Sequence, residues 1–238
     1  MNRKKIDKNV KETLADFTYK KLKNDIICQV LKPGERINTK QLAKRYGTSE
    51  MPIKLALNRL ESEHILERFP RQGIRVKPID LKEAVEICDI RLMMDLYYVK
   101  DIIIAVSHSE FLKQELHNNV NEHLELMRQT YSTNNDKLNE DILLKNHEYD
   151  FKFHELYLTS SGNKKIIDVY HKLNPFMYCN YIFNKQSEEK SISGVLEHKM
   201  ILDAIIEGDE EKVREMLINH HDNTKRTIEL ILKVENML

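Results

Sequence analysis

The sequence predicts a mainly α-helical protein in two parts: an N-terminal winged helix-turn-helix followed by a C-terminal antiparallel, all-helical bundle. Three observations carry this. Gly 6 and Pro 5 are too few in 238 residues for a turn-dense β-sandwich, barrel or propeller, which need frequent φ > 0 or φ-locked positions. Apolar residues recur at helical spacing along most of the chain, and the balance of charged (32%) and hydrophobic (41%) residues suits neither a disordered tail nor a membrane protein. The formal net charge of +0, finally, averages two unlike halves. Residues 1–78 hold 19 Lys/Arg and 9 Asp/Glu, a difference of +10, whereas residues 79–238 hold 19 and 29, a difference of −10. That split predicts two domains, 1–78 and 79–238, with different partners.

In the basic half, Leu14, Phe17, Leu22, Ile26 and Ile27 form a helical stripe within Thr13 to Val30, ended by the turn Leu31-Lys32-Pro33-Gly34. Asn38 or Thr39 can cap a short helix from Lys40 to Tyr46, with Gly47 as its stop. Ser49 then caps a third helix to about Glu63, and Pro52 falls in its first turn, where a missing N–H does no harm. Ile65–Phe69 and Ile74–Lys77 can pair around Pro70-Arg71-Gln72-Gly73 as a hairpin with a basic tip. Helix, glycine turn, helix and wing is an arrangement that places a helix N-terminus in the DNA major groove. Lys40, Lys44, Arg45, Lys54, Arg59, Arg68, Arg71 and Arg75 are spread over these elements as phosphate-neutralising candidates. Charge alone favours a solvated basic face; charge with this order of elements points to double-stranded DNA.

Three segments carry a family resemblance: Leu31–Ile37, Gln41–Ser49 and Pro52–Leu60. They resemble, in order and spacing, the DNA-binding domain of GntR-type bacterial transcriptional regulators, from about Phe17 to Val76. The resemblance implies that Arg36, the start of the third helix (Ser49, Glu50 and Lys54 included) and the wing glycine Gly73 contact operator DNA. Three positions depart from the family pattern. Glu50 stands where an arginine usually follows the capping serine, Lys54 replaces the next recognition arginine, and His64 replaces a glycine before the wing. Glu50 repels phosphate yet can accept from cytosine N4, and Lys54 keeps the charge without the two-point fork.

In the acidic half, Asp80 can cap a long helix from Leu81 to about Val106, whose dense apolar content predicts burial on most sides. Further helices read as Glu110–Tyr131, Leu138–Leu158, Lys164–Phe183, Val195–Glu207 and Glu210 to near the C-terminus. Breaks fall at Ser132–Asn135, Ser160–Asn163, the polar stretch Asn184–Gly194, and Gly208-Asp209. Helices of this length with short connections make an antiparallel bundle. Asp150 and His154 lie four apart on one helix face, and a hairpin at Gly208-Asp209 can bring His198 and His220 together. His220 is in phase with Val213 and Leu217, whereas His221 is one step out. Three imidazoles and a carboxylate suit a transition metal. Spacing alone favours the plainer alternative, an incidental Asp-x-x-x-His pair and two core or surface histidines.

Asp150-Phe151-Lys152-Phe153-His154, then Glu197–Ile205 with Gly208-Asp209 and Asn219-His220, resemble the FCD ligand domain of the FadR-type branch of GntR regulators, over about Leu81 to Ile231. The resemblance implies that Asp150, His154, His198 and His220 ligate a divalent transition metal, with zinc first and nickel, manganese or iron as other candidates. His147 is expected on the helix surface or beside the ligands, and His108, His117, His123 and His171 as ordinary surface or packing residues. Arg91, with Asp95 four residues on, reads either as an intrahelical ion pair or, by the resemblance, as a cavity residue gripping an effector carboxylate.

The expected function is a ligand-responsive transcriptional regulator: a homodimer on operator DNA that senses a small carboxylic or sugar acid. The competing reading is a metal-dependent helical enzyme with an accessory basic domain. Glu148, Glu155 and Glu197 are expected to project away from the ligands, which leaves that enzyme without a general base. No apolar h-region follows the basic run Met1–Lys8, and the apolar stretch Ile102–Val106 is far short of a membrane span. Cys28, Cys88 and Cys179 are odd in number and widely spaced, as suits reduced thiols in a cytoplasmic protein.

Overall fold

The computed structural model describes residues 13–132, 138–173 and 175–235. The basic run Met1–Lys8 and most of the break at Ser132–Asn135 lie outside them. The described chain divides into two compact units, one running to Ile26 and resuming over Leu31–Lys77, the other Ile27–Val30 with Pro78 onward. It is mainly helical, with one two-stranded sheet among the described residues.

In the first unit, α1 (Leu14–Ile27) buries Leu22 and Ile26, while Leu14 and Phe17, counted in the sequence stripe, are exposed. Asn38 caps α2 (Thr39–Tyr46), its Oδ1 accepting from the N–H groups of Lys40 and Gln41. Gly47 at φ 64° ends that helix in the left-handed region that glycine alone adopts freely. The α3 helix (Glu50–Ser62) buries Ile53, Ala56, Leu57 and Leu60, the i, i+3, i+4, i+7 face of a helix packed on one side. Strands β1 (Leu66–Phe69) and β2 (Gly73–Val76) pair antiparallel, Leu66 opposite Val76 and Phe69 opposite Gly73, and Arg36 adds a bridge to Arg75. His64 sits at φ 57° just before this wing, which explains why a glycine suits the position. A side chain there costs about 1 kcal/mol.

In the second unit the helices are α4 (Leu81–Tyr97), α5 (Val99–Ser107), α6 (Glu110–Ser132), α7 (Glu140–Thr159), α8 (Lys164–Leu173), α9 (Phe176–Phe183), α10 (Glu188–Glu207) and α11 (Glu210–Glu235). Asp80 caps α4 as expected, accepting from Glu83 N–H at 2.8 Å. Three expectations are corrected. The helix predicted over Leu81–Val106 breaks at Tyr98, with no proline or glycine to mark it. The one predicted over Lys164–Phe183 breaks before α9 at Pro175, which has no N–H to donate. The loop predicted to reach Gly194 ends at Ser187, whose Oγ caps α10 ahead of a polar but helix-forming first turn, Glu188-Glu189-Lys190.

The core of this unit is built by Leu116, Val120, Phe153, Tyr157, Ile201, Leu202, Val213 and Leu217, from α6, α7, α10 and α11. Burial of α4 is also not as expected. It turns Ala84, Cys88, Arg91, Met94 and Asp95 inward and leaves Ile90, Met93 and Tyr97 exposed. Two ionisable residues therefore occupy the inner face of that helix. The α11 helix packs against both α4 and α10, so it has two buried sides, and this is what fixes the site.

Candidate metal centre and nucleic-acid interface

The α7, α10 and α11 helices bring His154, His198 and His220 together, one ligand atom from each lying within 4.8 Å of the others. Ring centroids stand 5.0 Å apart for His154 and His198, 5.4 Å for His154 and His220, and 4.8 Å for His198 and His220. All three residues are buried, and the His198 ring stacks on Phe153 at 4.1 Å, which fixes its plane. Asp150, one turn before His154, places Oδ1 3.8 Å from His198 Nε2, too long for a hydrogen bond.

A test of whether these residues fit a cation lies in their unmet bonds. Nε2 of His154 and Nε2 of His198 are buried with no hydrogen-bond partner. Buried polar atoms are normally satisfied, so two orphaned imidazole nitrogens facing one cluster call for a third party. The electrostatics agree with the chemistry of ligation. Burial, then the charge of Arg91 and the other imidazoles, hold His154 well below the ordinary histidine value. Burial, then His220, do the same for His198. Neutral imidazole is the form that binds metal. These side chains fit a divalent ion.

Around the cluster the structure supplies residues that the sequence placed elsewhere. Glu197, expected to point away, accepts a hydrogen bond from His220 Nδ1 at 2.8 Å. His221, expected out of phase, is fully buried, with Nε2 2.9 Å from Asp95 Oδ2. Both corrections have one cause: α11 turns His220 toward α10 and His221 toward α4. Burial pushes the His221 imidazole down to about 4, against the pull of Asp95. Arg91 and Asp95, for which an intrahelical pair is one of two readings, take different partners, and Arg91 Nη1 donates to Tyr178 Oη at 2.8 Å. His123 is buried, 3.0 Å from Asn146 Oδ1. His171 lies 3.0 Å from Glu155 and His108 folds back on Ile104 O, both at the surface.

A cavity of about 100 Å³ opens beside the cluster. His147, Asp150, His198 and His220 line it, as do Lys190 and Thr227. Arg91 is buried and is not among the lining residues.

In the first unit, Arg36, Lys40, Ser49, Lys54, Arg71 and Gly73 are exposed, and Glu50 is half-buried. Ser49 stands at the N-cap of α3 but makes no side-chain cap bond, so its hydroxyl is not spent on the helix. Lys54 Nζ lies 3.8 Å from Glu50 Oε2, one turn away, which offsets the acidic charge at this helix start. Gly73 has φ 88°, and a Cβ there would sit 3.6 Å from Arg36 Nε; wing and guanidinium lie against each other. Arg59 stands apart. Its guanidinium lies 3.7 Å over the Tyr19 ring and bonds Glu63, a packing role between α1 and α3. No helix among the described residues is long and apolar enough to cross a membrane.

A family model described as bacterial regulatory proteins, gntR family, matches residues 14–76, and one described as the FCD domain matches residues 86–223. The chain is 25% identical over 215 residues to the uncharacterized HTH-type transcriptional regulator YdhC of Bacillus subtilis (strain 168), covering 90% of this chain and 91% of that protein. It is 24% identical over 224 residues to the gluconate operon transcriptional repressor of Bacillus licheniformis, covering 91% and 86%. Among solved structures, E. coli McbR/YncC superposes with a TM-score of 0.72 at 20% identity, covering 92% of this chain and 99% of that one. That likeness shows a shared fold.

Proposed function

The chain belongs to the gntR family of bacterial transcriptional regulators and carries an FCD domain, and we propose that it binds operator DNA as a homodimer controlled by a small acid held at a metal centre. The family is one of regulators, which removes the competing reading of a metal-dependent enzyme. The observation that carries the proposal is the convergence of His154, His198 and His220, with two buried nitrogens unmet, beside a cavity that His198 and His220 line.

Asp150, His154, His198 and His220 would hold the ion, zinc first and nickel, manganese or iron as alternatives, and the ion would offer an open position to a carboxylate. About 100 Å³ admits an acid of a few carbon atoms. Lys190, also in the lining, would meet a second anionic group, as in a dicarboxylate or a sugar acid. Arg91, buried against Tyr178, reaches a ligand only if that contact opens. Exposed Ile90, Met93 and Tyr97 follow one another at i, i+3 and i+7 on α4 and supply an apolar face for a second copy. The setting is cytoplasmic, where operator DNA is found.

Two winged helices on a two-fold axis read a pseudo-palindromic site. Arg36, Lys40, Ser49, Glu50, Lys54, Arg71 and Gly73 form the interface, and Arg59 supports it from behind through Tyr19. Binding to the DNA upstream of the protein's own gene, titrated between 50 and 200 mM salt, tests this. Lys40→Ala should weaken all sequences alike and lower the salt slope by about 1, whereas Lys54→Ala should cost about 1–3 kcal/mol and relax the preference between sites. A flat salt dependence, or no preference for any site, would contradict the reading.

A further inference from the structure

Glu197 stands beside the histidine cluster without belonging to it. Its Oε2 accepts from His220 Nδ1 at 2.8 Å, and its Oε1 accepts from Asn223 Nδ2 at 2.7 Å. The His220 side chain is 9% exposed and that of Glu197 12%, so water competes weakly for either bond. Both carboxylate oxygens are thereby engaged and the group is held in one orientation. A His220 ring that donates through Nδ1 has its lone pair on Nε2. With Nδ1 so engaged, Nε2 is the atom left with which His220 can join His154 and His198 in the cluster.

We propose that Glu197 is the positioning residue of the metal centre, fixing the tautomer and ring plane of His220, with Asn223 orienting Glu197 in turn. The inference rests on the metal reading above. Its physical basis is that a carboxylate accepting from one nitrogen of an imidazole raises the basicity of the other and restricts ring rotation. His220 comes from α11 and Glu197 from α10, so the bond also ties the two helices that must stay in register for His198 and His220 to share an ion.

The test uses the full-length protein, with zinc affinity measured by competition against a chromophoric chelator and the visible spectrum of cobalt-loaded protein as a second readout. Glu197→Ala should weaken zinc binding by about 10–100-fold and alter the cobalt bands. Glu197→Gln, which keeps an acceptor but loses its charge, should fall between. Because Glu197 acts through His220, Glu197→Ala combined with His220→Ala should bind no more weakly than His220→Ala alone. Losses that add, as they would if Glu197 itself held the ion, overturn the proposal. So does a Glu197→Ala protein that binds zinc like the unmodified one. Should the alanine variant fail to fold, the shape-preserving glutamine variant decides, and an unchanged affinity and spectrum there overturns it equally. If the unmodified protein binds no stoichiometric zinc, the metal reading itself fails, and that is seen without any variant.

Discussion

Replacing His198 by alanine should remove most of the stabilisation that zinc, bound as proposed, gives the protein. An ion binding only the folded state stabilises it by RT ln(1 + [L]/Kd), about 4 kcal/mol at a thousandfold excess over Kd. For a chain of this length that raises the unfolding midpoint by about 10 °C. Loss of one ligand lowers affinity by more than about 100-fold, so at the same zinc concentration the stabilisation falls to about 1.4 kcal/mol or less. His154→Ala should behave alike, because its Nε2 is equally buried and equally without a partner. Metal content of the purified proteins and thermal unfolding with and without a chelator read the effect. Equal metal content in the unmodified protein and both variants would remove these residues from the ligand set.

The second large effect is acid destabilisation of the metal-free protein. His221 has a folded value of about 4, lowered chiefly by burial, against about 6.5 when unfolded. Between those pH values only the unfolded chain takes up the proton, so stability falls as pH falls through that window and is fully present above pH 7. From His221 alone the loss between pH 6.5 and 4 approaches about 3 kcal/mol. His154 and His198 are held low for the same reason and add in the same direction. Urea unfolding of chelator-treated protein at pH 7.5, 6 and 5 measures this. His221→Gln, which can still donate to Asp95 but does not titrate, should lose part of the pH dependence. A urea midpoint that is the same at pH 5 as at pH 7.5 would contradict the account of these imidazoles.

Most of the fold was legible because its signals are local. Asn38, Gly47 and Asp80 cap or stop helices where their side chains or φ values require it. The wing differs from expectation by a residue at each strand. What escaped was set by partners distant in sequence. Glu197 and His221 looked misdirected because helical phase was judged on one helix at a time. Packing α11 between α10 and α4 gave it two inner faces, one for each of two adjacent histidines. Met93 and Ile90 looked buried for the converse reason: apolar character in α4 marks a surface that the single chain leaves uncovered. Pro175 was a visible signal that was outweighed by the helical residues on either side. The break at Tyr98 had no signal at all.

The departures on the DNA side acquire a structural sense. Glu50 and Lys54, two changes from the family pattern, lie one turn apart and 3.8 Å from each other. An exposed pair of this kind contributes about 1 kcal/mol or less to stability. In the proposed interface the pair would set which charge the start of α3 presents to a base edge.

A ligand at the proposed metal-centred acid site can act on the proposed DNA-reading wing only by binding the DNA-competent and DNA-incompetent states unequally. Operator affinity at fixed salt, with zinc present, measured across small mono- and dicarboxylic acids and gluconate, tests the link most directly. The account predicts that at least one acid changes the operator Kd by about 5–150-fold in the unmodified protein and leaves the His198→Ala protein unmoved. An acid response that survives intact in His198→Ala would contradict it.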